Sequence, residues 1–125
     1  MSAWLAVALG GAIGSLGRYL AVGWVTGLVG PGFPYGTLAV NVIGGFAMGA
    51  VVALAEATAW INPTTRLLLA TGILGGFTTF SAFSLDVMQQ LDRGAVWSAL
   101  AYALVSVLGS VAALWCGRAL ARMIG

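Results

Sequence analysis

The sequence predicts an all-α membrane protein of four transmembrane helices, and three observations carry that prediction. Hydrophobic residues make up 61% of the chain and charged residues only 6%, against about 25% charged in an ordinary soluble domain. Residues 1–17, 19–55, 67–85 and 94–117 hold no charge at all, and a spanning helix needs about 20 apolar residues. The 37-residue run 19–55 is divided by Gly30-Pro31-Gly32-Phe33-Pro34, which cannot continue a helix. Five basic and three acidic side chains cannot solvate the surface of a 125-residue globule, so a soluble fold is excluded.

The first span is expected near residues 3–28, because the chain stays apolar past Arg18 to Val29. It lacks the basic n-region of a cleaved signal peptide, so it is expected to stay in the mature chain. Gly30-Pro31-Gly32-Phe33-Pro34 cannot continue a helix and opens a second span near 35–55. Asn62-Pro63-Thr64 offers an N-cap followed by proline at the first helical position, starting a third span near 66–88. Asp92-Arg93-Gly94 turns the chain into a fourth span near 95–117. Residues 1–125 thus form one four-helix transmembrane domain, with no soluble domain left over.

Several function classes drop out. Arg and Lys do not cluster as a nucleic-acid surface requires, and the single cysteine, Cys116, cannot form an internal disulfide. There is no His, hence no Cys/His zinc set and no hydrolase triad. Function must sit within the bilayer, and the chain is not expected to be an enzyme.

Four spans place both termini on one side, with Arg66, Arg118 and Arg122, while Arg18 and Arg93 lie nearer the other. That near-balance gives almost no positive-inside signal. Either the amino group and tail settle one orientation weakly, or the chain inserts both ways. Small-xxx-small pairs at Gly10/Gly14, Gly45/Gly49 and Gly72/Gly76 let helix backbones approach closely, chiefly a packing device.

The segment from Gly75 to Ser84, Gly-Gly-Phe-Thr-Thr-Phe-Ser-Ala-Phe-Ser, is the most informative. Adjacent glycines followed by β-branched Thr78 and Thr79 weaken a helix. A non-helical break at membrane depth is tolerated only inside protein or along a cavity, and its freed carbonyls suit a small hard cation. The other reading is a continuous helix whose Thr and Ser hydroxyls bond back to their own turn. Phe80 and Phe83 share a helical face; they are either ordinary apolar contacts or rings whose positive edges meet an anion. Asn41, the lone amide of span 2, must face protein or water, since an unpartnered amide in hydrocarbon costs several kcal/mol. It either bonds another helix or lines a path. Tyr102, Ser106 and Ser110 form a hydroxyl stripe that serves as helix glue or as lining. Arg18 snorkels as an anchor or makes a positive vestibule. With Glu56, Asp86 and Asp92 read near span ends, the interior offers neutral donors and aromatic edges. Such a lining fits a conduit for a small, strongly hydrated anion.

Gly10-Gly11-Ala12-Ile13-Gly14 leading to Arg18-Tyr19, Gly36-Thr37-Leu38 with Asn41 and Gly44, and the Gly75–Ser84 segment resemble the Fluc/CrcB fluoride channels of bacterial membranes. The resemblance covers all four spans. It implies an antiparallel, dual-topology homodimer in the bacterial inner membrane, with two pores and a central structural sodium ion. The ion would be held by backbone carbonyls, here those of Gly75 and Thr78. It further implies that Phe80 and Phe83 flank the fluoride path, that Asn41 is the pore amide and that Arg18 is the vestibule arginine. Tyr102, Ser106 and Ser110 would line the polar side of span 4, and Thr79 and Ser81 would extend a polar track. Relatives often carry Glu where this chain has Asp86, one methylene shorter, so Asp86 is left outside the expected site.

The reading is therefore a passive fluoride-selective channel that lowers cytoplasmic fluoride. The competing reading, a dual-topology small multidrug-type antiporter, needs a membrane-embedded carboxylate. A non-conducting helical subunit of a larger complex would not need the polar centre of span 3.

Overall fold

The computed structural model describes residues 1–125, entirely helical, with four helices long and apolar enough to cross a membrane. Helix α1 runs over Ala3–Val29, its first turn closed by the Ser2 hydroxyl accepting from the Leu5 N–H at 3.2 Å. It stops at Gly30, whose φ of 82° lies in the left-handed region that glycine enters without a Cβ clash. Helix α2 covers Tyr35–Ala57.

The third span is composite. Asn62 caps it, Oδ1 accepting from the Thr65 N–H at 2.9 Å, and Pro63 opens the short α3, Pro63–Arg66. Leu67–Leu74 then widens into a π-helix, and α4 covers only Gly75–Phe77. Thr78 is extended (φ −87°, ψ 157°), and helix resumes as α5 over Ser81–Asp92. Gly94, φ 76°, turns the chain into α6, Val96–Ile124.

Two expected boundaries shift. The last helix does not stop at 117 but continues to Ile124, because arginine is a good helix former and no breaker intervenes before Gly125. The third span runs Pro63–Asp92 rather than 66–88. Asp86 therefore lies in the middle of α5, not at the end of its span.

The helices pair as α1 with the third span and α2 with α6, and the glycines explain why. A Cβ on Gly10 or Gly14 would run into the backbone of Leu68, Gly72 or Ile73. One on Gly49 would strike the Leu114 carbonyl, and one on Gly117 the carbonyl of Phe46. Backbone-to-backbone contact of this kind supplies dispersion where no hydrophobic effect separates helix from lipid.

Only 17 of the 125 residues are buried, so a single copy leaves broad apolar faces for lipid or a neighbour. Trp4, Trp24, Trp60, Trp97 and Trp115 all stand outward. Trp4 and Trp60 lie toward the end that carries the termini, and Trp24 and Trp97 toward the other. Aromatic rings favour the two headgroup levels, which sets the molecule's position across the bilayer.

Candidate functional site

The site grows from the interruption between α4 and α5. In an unbroken helix the Thr79 N–H would bond the Gly75 carbonyl. It donates instead to Asn41 Oδ1 at 2.7 Å, while Asn41 Nδ2 donates to the Thr79 carbonyl at 3.0 Å. The Ala82 N–H, which a helix would aim at the Thr78 carbonyl, donates to Thr79 Oγ1 at 3.1 Å. The carbonyls of Gly75 and Thr78 are thereby released from the helical ladder. Thr78 keeps its own N–H and hydroxyl on the Leu74 carbonyl, at 3.0 and 2.9 Å.

Around this junction α2, the third span and α6 enclose a cavity of about 490 Å³, open on one side. Asn41, Gly75, Thr78, Thr79, Phe80, Phe83, Ser106 and Ser110 all line it. No charged side chain does. The Ser106 and Ser110 hydroxyls are buried and have no hydrogen-bond partner, leaving both free to donate. Asn41 uses one amide hydrogen on Thr79 and keeps the second. Phe80 is 76% exposed and stands toward the open side, its ring centroid 5.5 Å from that of Phe83.

Arg18 lies apart, in a second cavity of about 580 Å³ with Ser15, Tyr19, Thr37, Thr79 and Ala82. It makes no ion pair; the one in the molecule joins Arg122 to Glu56 at 3.7 Å on the surface. Thr79, pinned by Asn41, is the one residue that lines both cavities.

Two expected members stand elsewhere. Ser81 is exposed and lines neither of these cavities. Tyr102 is fully buried behind the neutral cavity, its hydroxyl donating to Asp86 Oδ2 at 2.8 Å and its ring 5.2 Å from Phe83. The hydroxyl stripe on α6 is therefore split, with Tyr102 engaged and the two serines free.

Sequence reasoning set Asp86 aside and gave no part to Gln90, which is 1% exposed and accepts from the Ser98 hydroxyl. Together these bonds clamp α5 to α6 beside the site. The signal was present as a polar pair four residues apart on one face of α5. The Met48, Val107, Val111 and Leu114 lining was likewise missed, since apolar residues in a membrane helix carry no mark of their neighbours.

A family model described as CrcB-like protein, Camphor Resistance (CrcB), matches residues 5–118. A protein of Chelativorans sp. strain BNC1, named fluoride-specific ion channel FluC, is 55% identical over 118 residues, covering 94% of both chains. A protein of the same name from Agrobacterium fabrum is 50% identical over 116 residues, 93% of each. A third so named, from Caulobacter vibrioides strain NA1000, is 45% identical over 125 residues, covering 99% of this chain and 98% of its own. With its four spans the chain is a multi-pass bacterial membrane protein. Matched along nearly its whole length by both kinds of comparison, the chain belongs to the CrcB family.

Proposed function

We propose that the chain forms a passive fluoride-selective channel, working as an antiparallel homodimer with two pores and a central sodium ion. The observation that carries this reading is the neutral cavity. It offers two unpartnered hydroxyls, a spare amide N–H and two phenylalanine rings, and no fixed charge. Bare anions in hydrocarbon cost tens of kcal/mol before compensation, so a lining must replace water's hydrogen bonds. It must do so without a cation that would trap the ion, because conduction needs binding weak enough for release. Neutral donors and ring edges meet both demands. The names of the relatives supply the anion, fluoride.

On this reading Arg18 concentrates the anion in its chamber by long-range attraction. Past Thr79, which lines both cavities, Asn41, Ser106 and Ser110 donate to it in turn while Phe80 and Phe83 line the passage. Fluoride that enters a cell as neutral hydrogen fluoride dissociates in the less acidic cytoplasm, and the channel lets the trapped anion leave.

The open side of the cavity favours a second copy as its missing wall, and the balanced arginines favour an inverted one. Across a two-fold axis the released carbonyls of Gly75 and Thr78 would number four. Oxygen donors of that kind suit a hard monovalent cation, and a bound sodium ion supplies a fixed positive charge near the path. Its loss, on replacing sodium by a bulky organic cation, is expected to lower the thermal midpoint of the dimer.

The antiporter reading is not favoured. Asp86 is the carboxylate deepest in a span, and one of its oxygens is already taken by the Tyr102 hydroxyl. Purified protein in liposomes, assayed for fluoride and chloride efflux side by side, tests the proposal. Fluoride efflux without a proton gradient is the expected result. Equal chloride efflux would sink the claim of selectivity, and no efflux from dimeric protein would sink the channel.

A further inference from the structure

We propose that Phe33, in the loop between α1 and α2, is a positioning residue of the ion path: its ring fixes Tyr102 and, through it, Phe83. The inference rests on the channel reading above.

Five aromatic rings run in an unbroken series from the cavity to this loop. Phe80 lies 5.5 Å from Phe83, Phe83 5.2 Å from Tyr102, Tyr102 5.4 Å from Phe33 and Phe33 4.7 Å from Tyr35, centroid to centroid. All four spacings fall in the range where ring quadrupoles favour offset or edge-to-face pairing. The Phe33–Tyr102 pair is the steepest, at 85° between ring planes.

Tyr102 is the pivot. Its hydroxyl is held on Asp86 at 2.8 Å and its side chain is 0% exposed. A hydrogen bond at the para position fixes where the ring's long axis ends and leaves rotation about that axis open. The plane of the ring must be set by what touches its sides. Phe83 touches it at a tilt of 44° and Phe33 at near-perpendicular. With Phe33 in place the Tyr102 plane is determined, and Phe83, packed on that plane, presents a defined edge to the cavity it lines.

The loop is built to hold such a ring. Gly30 turns at φ 82°, Pro31 and Pro34 fix their own backbone angles, and the Tyr35 N–H donates to the Phe33 carbonyl at 2.8 Å. Phe33 is half-buried in a segment that needs no apolar anchor to make its turn.

Edge-to-face pairs contribute beyond their buried area by an amount equivalent to about two- to thirteenfold. Phe33→Leu, which keeps apolar bulk without a ring, should lower fluoride efflux by that factor in liposomes, in protein shown to be dimeric. Phe33→Tyr should restore it. In a Phe83→Met background, Phe33→Leu should add no further loss, because the ring it orients is gone. Parental efflux from Phe33→Leu, equal loss from Phe33→Tyr, or a full additional loss in the Phe83→Met background would each overturn the proposal. If Phe33→Leu does not assemble, Phe33→Met takes its place with the same expectations. A second readout does not depend on transport. With 4-fluorophenylalanine at position 83, Phe33→Leu should move the fluorine resonance and Phe33→Tyr should not; an unmoved resonance overturns the assignment. A parent protein that passes no fluoride counts against the channel reading alone, since the resonance still reports on Phe33.

Discussion

Asn41 and Thr79, 38 residues apart, exchange two hydrogen bonds, the amide nitrogen to the carbonyl at 3.0 Å and the backbone N–H to the amide oxygen at 2.7 Å. A primary amide presents the same donor and acceptor pair as a backbone peptide. Asn41 thus completes, from α2, the hydrogen bonding that the third span gives up between Phe77 and Ser81. The amide therefore has two tasks. It satisfies the part-buried Thr79 peptide, and its second N–H remains for whatever occupies the cavity.

This double role gives the first prediction. Asn41→Ala removes both bonds and strands a part-buried N–H and carbonyl, which should cost the folded dimer about 2–4 kcal/mol and abolish fluoride efflux. Asn41→Asp keeps the acceptor for the Thr79 N–H but loses the donors and adds a negative charge. It should melt closer to the parent than the alanine variant does, yet conduct no better. Thermal unfolding read beside efflux checks both. An aspartate variant that conducts like the parent would show that the spare N–H has no part in transport.

Legibility in the sequence followed the range of the interaction. Local signals read correctly, as at Asn62-Pro63, where cap and proline act within one turn. The glycine pairs also read as contacts, because a missing Cβ has one use between packed helices. Asn41 was marked as needing a partner, but nothing local names Thr79 as that partner. The π-helix over Leu67–Leu74 left no trace, since its Leu, Ala, Thr, Gly and Ile are ordinary in any apolar helix. The even spacing of Tyr102, Ser106 and Ser110 predicted one stripe; only Asp86, brought across by the Gly94 turn, divides it.

The second prediction concerns orientation. A chain with arginines divided three to two between its two sides should insert both ways, as an antiparallel dimer requires. A protease-cleavable tag at the C-terminus should be cut by protease added to intact spheroplasts in one fraction of the molecules and protected in the rest. Protection of every copy, or cleavage of every copy, would contradict dual topology.

The third prediction separates stability from transport at the serines. Ser106 and Ser110 each bury a hydroxyl without a partner, and an unmade bond in the folded state costs about 1–3 kcal/mol. Ser106→Ala and Ser110→Ala should therefore leave the thermal midpoint unchanged or raise it. Fluoride efflux should nevertheless fall, more in the double variant than in either single one. If both variants melt lower and conduct normally, the hydroxyls are helix glue after all.

The last prediction turns on the unequal settings of Phe80 and Phe83. Phe80 is 76% exposed, whereas Phe83 is half-buried against Tyr102. Phe80→Ile breaks one ring pair and should cost the dimer about 0.5–1.5 kcal/mol. Phe83→Ile breaks a ring pair on each side and should destabilise the dimer more, by about 1–3 kcal/mol for two aromatic pairs. Transport should not follow that order. Both rings line the neutral cavity, and isoleucine supplies bulk without the positive ring edge, so both variants should lose most fluoride efflux. Methionine at either position should be milder, because its polarizable thioether adapts to the path. The comparison requires protein that elutes as a dimer, so that lost assembly is not mistaken for lost conduction. If the two isoleucine variants conduct like the parent, the rings pack and do not conduct. If flux falls only as stability falls, the aromatic edge has no role of its own.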